Sequence, residues 1–111
     1  MSLAMDIREP ADGIRIIDVR GEVTAASEQE IADAHEKAGE GARAVIFNFE
    51  GLEYMNSGGI GLLVTTLIRA QRAGHDLRAY GLSDHYRQIF SLTRLDEAIS
   101  LHPDEEAAIA G

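Results

Sequence analysis

The segment from Ala44 to Ile68 constrains this chain most, because a buried strand has to become an amphipathic helix within a short, glycine-rich junction. Ala44-Val45-Ile46-Phe47-Asn48-Phe49 is almost wholly apolar, as in a central strand covered on at least one face and sometimes both. Beyond an exit loop, Ile60, Leu63, Val64, Leu67 and Ile68 recur at helical spacing. Between them lies Asn56-Ser57-Gly58-Gly59-Ile60-Gly61, which places Ser57 at the expected N-cap. A helix opening there presents unpaired backbone N–H groups to whatever docks, so a functional site is expected at this junction.

The flanking sequence alternates strands and helices. Met5 to Arg8 reads as a short edge strand, and Gly13 separates it from the β-branched stretch Ile14 to Arg20, with which it is expected to pair as a hairpin. Ser27 and Glu30 form an expected capping box, followed by Ile31, Ala34, His35 and Ala38 on one helix face, with Gly39 and Gly41 as stops. After the central helix, Gly74 is the expected stop and Leu77 to Tyr80 the next strand. Ser83 can cap a third helix carrying Tyr86, Ile89, Phe90 and Leu92 inward. Ala98 to Leu101 offers a last strand, and Pro103 begins a short C-terminal helix over 103–111. The order β-β-α-β-α-β-α-β predicts an α/β fold with a mixed sheet of about five strands, helices mainly on one face, and a right-handed βαβ crossover.

With 111 residues, 45% of them hydrophobic, the chain suits one domain over 1–111, in which residues 1–4 read as a leader or tag. Its apolar runs are too short for a membrane span and its start lacks a secretory signal pattern, which suggests a cytoplasmic protein. There is no cysteine, hence no disulfide, thiolate nucleophile or cysteine-held metal. A net charge of −9 argues against direct nucleic-acid binding. The charge is uneven: residues 60 to 95 carry Arg69, Arg72, Arg78, Arg87 and Arg94 against Asp76 and Asp84, so this part could act as a solvated surface or as a polarised docking face.

Taken together, the strand, the exit residues and Asn56-Ser57-Gly58-Gly59-Ile60-Gly61 resemble STAS domains of the anti-sigma factor antagonist type, whose helix start reads Asp-Ser-Ser/Thr-Gly-apolar-Gly. Arg20-Gly21-Glu22-Val23 and Ile89-Phe90-Ser91-Leu92-Thr93 add to the resemblance along most of the chain. It implies a STAS fold and a partner-switching, transcription-regulating role, in which the module binds an anti-sigma factor that is also a serine kinase. It also implies phosphorylation at the second hydroxyl of the motif, a position occupied here by Gly58. Either binding escapes phosphate control or Ser57 takes the phosphate. The contact surface implied is Met55, Asn56, Ser57, Gly58, Gly59 and Gly61, with Thr24 and Ser27, and Arg69, Arg72, Arg87 and Arg94 as an extension. A bulky residue at Gly59 is expected to harm binding far more than folding.

Other roles within the same family are an accessory subunit of a lipid transport complex and a stressosome-type scaffold. Ser57 can equally be an ordinary cap, and the glycines purely structural. Nucleotide binding at the Gly59-Ile60-Gly61 helix start is a reading of another class. Against it stand the exit loop, which separates the glycines from the strand, the missing acid after Tyr80 and the missing lysine of a phosphate loop. His35, His75, His85 and His102 are scattered, with His75 expected near helix-terminal carbonyls, and none pairs obviously with Ser57 or has metal-ligand spacing. No cofactor and no enzymatic activity are expected.

Overall fold

A computed structural model describes residues 2–111. Its elements are β1 (Leu3–Ala11), β2 (Ile14–Val23), α1 (Glu28–Gly39), β3 (Ala44–Met55), α2 (Ser57–Ala73), β4 (Asp76–Tyr80), α3 (Asp84–Leu92), β5 (Ser100–His102) and α4 (Glu105–Ala110). Short 3₁₀ turns at Ala25–Ser27 and Leu95–Glu97 lead into α1 and β5. The five strands form one sheet in the order β1-β2-β3-β4-β5, with β1 antiparallel to β2 and the other neighbours parallel, as the element order predicts.

β5 and α4 begin two residues later than expected, at Ser100 and Glu105, β2 runs on to Val23, and β1 and β3 differ more. β1 begins at Leu3, so Leu3 and Ala4, expected in a leader, pair with Gly21 and Arg20; Met1 lies outside the described residues. Pro10, which cannot donate to a ladder, falls in the register shift between Arg8 and Ala11 of this edge strand, where its missing N–H does no harm. β3 does not stop at Phe49. It continues through Glu50-Gly51-Leu52-Glu53-Tyr54 to Met55, paired with β2 as far as Val23 through two register shifts, so the expected exit loop is strand. Sequence pattern missed this because the extension is polar and contains glycine, whereas its backbone hydrogen bonds with β2 decide its conformation.

Side chains alternate between the two sheet faces. Ile17, Val19, Val45, Phe47, Leu77 and Ala79 join Ile31, Ala38, Leu63, Ala70 and Phe90 in the main core, so α1, α2 and α3 cover that face. Ile14, Ile16, Ala44, Ile46 and Tyr80 point the other way and pack with Ala108 of α4. The expected inward placement holds for Phe90, while Leu92 is 84% exposed at the end of α3. Gly74 ends α2 in the left-handed conformation at φ 79, as expected of a glycine stop.

A polar cluster fastens α4 to the sheet. Arg8 donates to both carboxylate oxygens of Asp18 at 2.7 and 2.9 Å and reaches Glu105 at 2.9 Å. The Tyr80 hydroxyl also donates to Glu105, at 2.9 Å, and Asn48 donates to Asp18 at 2.9 Å. Hydrogen bonds from Arg8 hold the Asp18 and Glu105 carboxyls below their ordinary range, while burial and the Glu105 neighbour push the Tyr80 phenol up to about 12. Carboxyls lowered on folding stabilise the native state above their ordinary range, near pH 4, and lose that contribution as pH falls through their folded values. Tyr80→Phe removes one buried hydrogen bond and is expected to lower stability by about 1 kcal/mol. An unchanged urea midpoint would show that the Tyr80–Glu105 bond contributes nothing.

Candidate helix-start interface

The junction between β3 and α2 is built by close backbone contact. Asn56, in an extended conformation with φ −102 and ψ −175, is the residue that caps α2: its side-chain oxygen accepts from the Gly59 N–H at 3.0 Å. Ser57 is therefore the first helical residue and not the N-cap, since Asn56 already accepts from the amide of the third helical residue, Gly59. Ser57 is exposed and its hydroxyl stands outside the cap.

The glycines divide by environment. Gly59 is buried, and a Cβ there would run into the Val23 carbonyl and lie 2.8 Å from Met55 Cγ. A Cβ on Gly58 would come within 2.9 Å of both the backbone N and the Cβ of Ala25, in the 3₁₀ turn before α1. Gly61 faces open space. So the first turn of α2 packs against the end of β2 and the turn before α1, and the Gly59 N–H is already taken by the Asn56 side chain. The loop that was to separate these glycines from their strand does not exist, but no acidic residue stands where β4 ends at Tyr80, next to Gly81.

Several expected contact residues are not at the surface. Met55 is 5% exposed and belongs to the core, with its N–H donating to the Tyr86 hydroxyl at 2.8 Å. Ser27 is also 5% exposed. It forms no capping box with Glu30, because its hydroxyl accepts from the Thr24 N–H at 3.1 Å while Thr24 accepts from the Ala26 N–H at 3.2 Å, which puts the cap one turn earlier. Gly59 cannot serve as a landing point either, so a bulky residue there disrupts the fold first. Asn56, Gly58 and Thr24 are half-buried, and Ser57 and Gly61 are exposed.

The surface that remains is a stripe. Ser57, Gly61, Val64 and Ile68 follow the i, i+4, i+7, i+11 spacing of one helix face. Val64 and Ile68, expected inward, are 40% and 44% exposed, because Leu63, Thr66 and Ala70 fill the core side of α2. Exposed Ala25 and Ala26 border Gly58, and Tyr54 is 47% exposed near the end of β3. Ala25 and Ala26 were not singled out in the sequence, where the cap was expected at Ser27; the exposure of Val64 and Ile68 had no signal beyond an apolar stripe wider than one core contact. The arginine extension is partly neutralised, since Arg87 pairs with Asp84 and Arg94 with Glu97.

Elsewhere, the two histidines His35 and His75 meet, with Nε2 atoms 2.9 Å apart, while the expected helix-terminal contact of His75 is made by its backbone N–H, which donates to the Ala70 carbonyl at 3.2 Å, and not by its ring. No group of three or more potential metal ligands is present among the described residues, and no described helix is long and apolar enough to cross a membrane.

The STAS domain family model matches residues 7–108, spanning the sheet, α1 to α3 and most of α4. The chain belongs to the STAS domain family. It is 31% identical over 67 residues to the anti-sigma-B factor antagonist of Staphylococcus aureus, covering 60% of this chain and 62% of that protein's length. It is 28% identical over 102 residues to the anti-sigma-F factor antagonist RsfA of Mycobacterium tuberculosis, covering 89% of this chain and 80% of RsfA. Its fold is shared with an anti-sigma factor antagonist from Mycobacterium paratuberculosis, with a TM-score of 0.77 at 22% identity over 98% of this chain and 92% of that one.

The two kinds of glycine predict opposite outcomes. Gly59→Ala is expected to cost about 1–3 kcal/mol through overpacking against Val23. Gly61→Ala should be neutral or stabilise by up to about 1 kcal/mol through helix propensity. Denaturant unfolding of both variants checks this, and equal effects would contradict the packing described.

Proposed function

We propose that this STAS domain is an anti-sigma factor antagonist that works by binding and carries out no chemistry of its own. Its partner is an anti-sigma factor of the serine-kinase type, docked on the α2 stripe from Ser57 through Gly61 and Val64 to Ile68, with Ala25 and Ala26 at its edge. The observation that carries this reading is the open, partly apolar helix face beginning at the capped α2 N-terminus, where small residues let another backbone approach. The names of the Staphylococcus and Mycobacterium tuberculosis relatives support the same role.

Gly58 gives this protein no hydroxyl at the position where the resemblance places the phosphate, and Ala25 leaves no free space for a side chain there. The docking face is therefore competent without a phosphorylation cycle at residue 58. Ser57 is the neighbouring exposed hydroxyl. A phosphate on it would be locally favourable at the helix N-terminus, yet would place a charge of about −2 within the docking face.

Titration calorimetry with the kinase-type anti-sigma factor from the same organism tests the reading. Gly61→Trp is expected to weaken binding at least tenfold while the unfolding midpoint stays near that of the parent. Retention of parental affinity in a folded Gly61→Trp protein would remove the α2 stripe from the interface. Mass spectrometry after incubation with the kinase and ATP is expected to find no added phosphate; modification at Ser57 would end the phosphate-independent version.

A further inference from the structure

Away from the α2 stripe, His35 of α1 and His75, just before β4, are buried at 5% and 6% exposure with their Nε2 atoms 2.9 Å apart and ring centroids 5.0 Å apart. The contact depends on Gly39, where a Cβ would lie 2.8 Å from His75 Cε1. Two neutral imidazoles can share one hydrogen bond only if one Nε2 carries the hydrogen and the other is bare. His75 Nδ1 is buried with no hydrogen-bond partner among the described residues. A hydrogen on that atom would be an unpaired buried donor, so the geometry assigns the bridging hydrogen to His75 Nε2, leaves His75 Nδ1 as a bare lone pair and makes His35 Nε2 the acceptor.

We propose that this His35–His75 bridge is a proton-sensitive latch holding α1 to the start of β4, closed when both rings are neutral and opened by acidification. The reason lies in the hydrogen count. If His35 gains a proton and donates from Nε2, His75 must accept at Nε2 and carry its own hydrogen on Nδ1. If His75 gains the proton and keeps donating, its Nδ1 again carries a hydrogen. Every protonated state that keeps the bridge therefore places an N–H on the one ring atom that has nothing to accept it, which costs the full desolvation of a buried donor. A pair with a satisfied outer nitrogen would hold one proton comfortably; this one does not.

The surrounding charges do not cancel this. Arg69 of α2 lines a groove beside His35 and opposes protonation, while Glu28, Asp33 and Glu36 of α1 and Glu40 just beyond its end line the same groove and favour protonation. Asp76, Asp96 and Glu97 lie on the other side of His75 and also attract a proton. Burial nevertheless holds both imidazoles below their ordinary range: His35 is pushed down to about 4, with His75 and Arg69 adding to the effect, and His75 is lowered despite Asp76. A histidine lowered on folding stabilises the native state above its unfolded value, near 6.5, and loses that stabilisation as pH falls through the folded value. The latch thus opens between about pH 6.5 and pH 4, above the range in which the Asp18 and Glu105 carboxyls titrate.

Nitrogen-detected imidazole NMR of the full chain from pH 8 to pH 4 tests this directly. We expect His75 in the Nε2–H tautomer, His35 in the Nδ1–H tautomer, His35 titrating near 4 and His75 below 6.5. The titration of His35 alone should lower the folding constant roughly thirtyfold between pH 7.5 and pH 5.0, and that of His75 lowers it further. The folding constant should fall much less in His35→Gln, which bonds without titrating. Titration of both rings near 6.5, or the same pH dependence in a folded His35→Gln protein, would overturn the latch. Should that variant fail to fold, the tautomers and titration of the parent decide alone.

Discussion

The fold and its surface both depend on how closely the first turn of α2 lies against the end of β2. Gly59 sits against the Val23 carbonyl, where even a methyl group has no room, and Gly58 lies close against Ala25, though less tightly. This contact is possible because β3 stays paired with β2 as far as Met55, delivering the chain to the helix start with no slack. The Asn56 side chain then takes the Gly59 amide and fixes the direction of the helix. Because packing and capping are completed by Asn56, Gly58 and Gly59, the next exposed positions along α2 are left free of structural duty.

That division of labour gives the molecule two unlike faces. On one, α1, α2 and α3 cover the sheet, and the outer side of α2 carries Val64 and Ile68 into solvent. On the other, the short α4 adds little apolar cover and is held by Arg8, Asp18, Tyr80 and Glu105, so its attachment is largely polar. Val64 and Ile68 thus expose apolar surface on α2, away from the ionic cluster, while Leu92 at the end of α3 and Ile7 on β1 are exposed elsewhere.

Much of the architecture was legible in the sequence. The apolar run Ala44 to Phe49, the helical spacing from Ile60 and the stops at Gly13 and Gly74 are local signals, and the local physics of burial and turn formation was enough to read them. What was not legible came from contacts between distant segments. The polar extension of β3 is strand only because β2 lies beside it. Asn56 outcompetes Ser57 as cap through its side-chain geometry, and Thr24 displaces Ser27 for a similar reason. Met55, Ser27 and Gly59 looked like surface by position in a motif but are buried by packing that no spacing rule reports. His35 and His75, far apart along the chain, gave no sign of meeting.

The central claim is that a second polypeptide lands on the exposed side of α2 beginning at its capped start. Amide chemical-shift mapping of the labelled chain on addition of the kinase-type anti-sigma factor tests it most directly. Perturbations centred on Ala25, Ala26, Ser57, Gly58, Gly61, Val64 and Ile68 are predicted. Perturbations centred on α4 and β1, with this stripe unmoved, would contradict it.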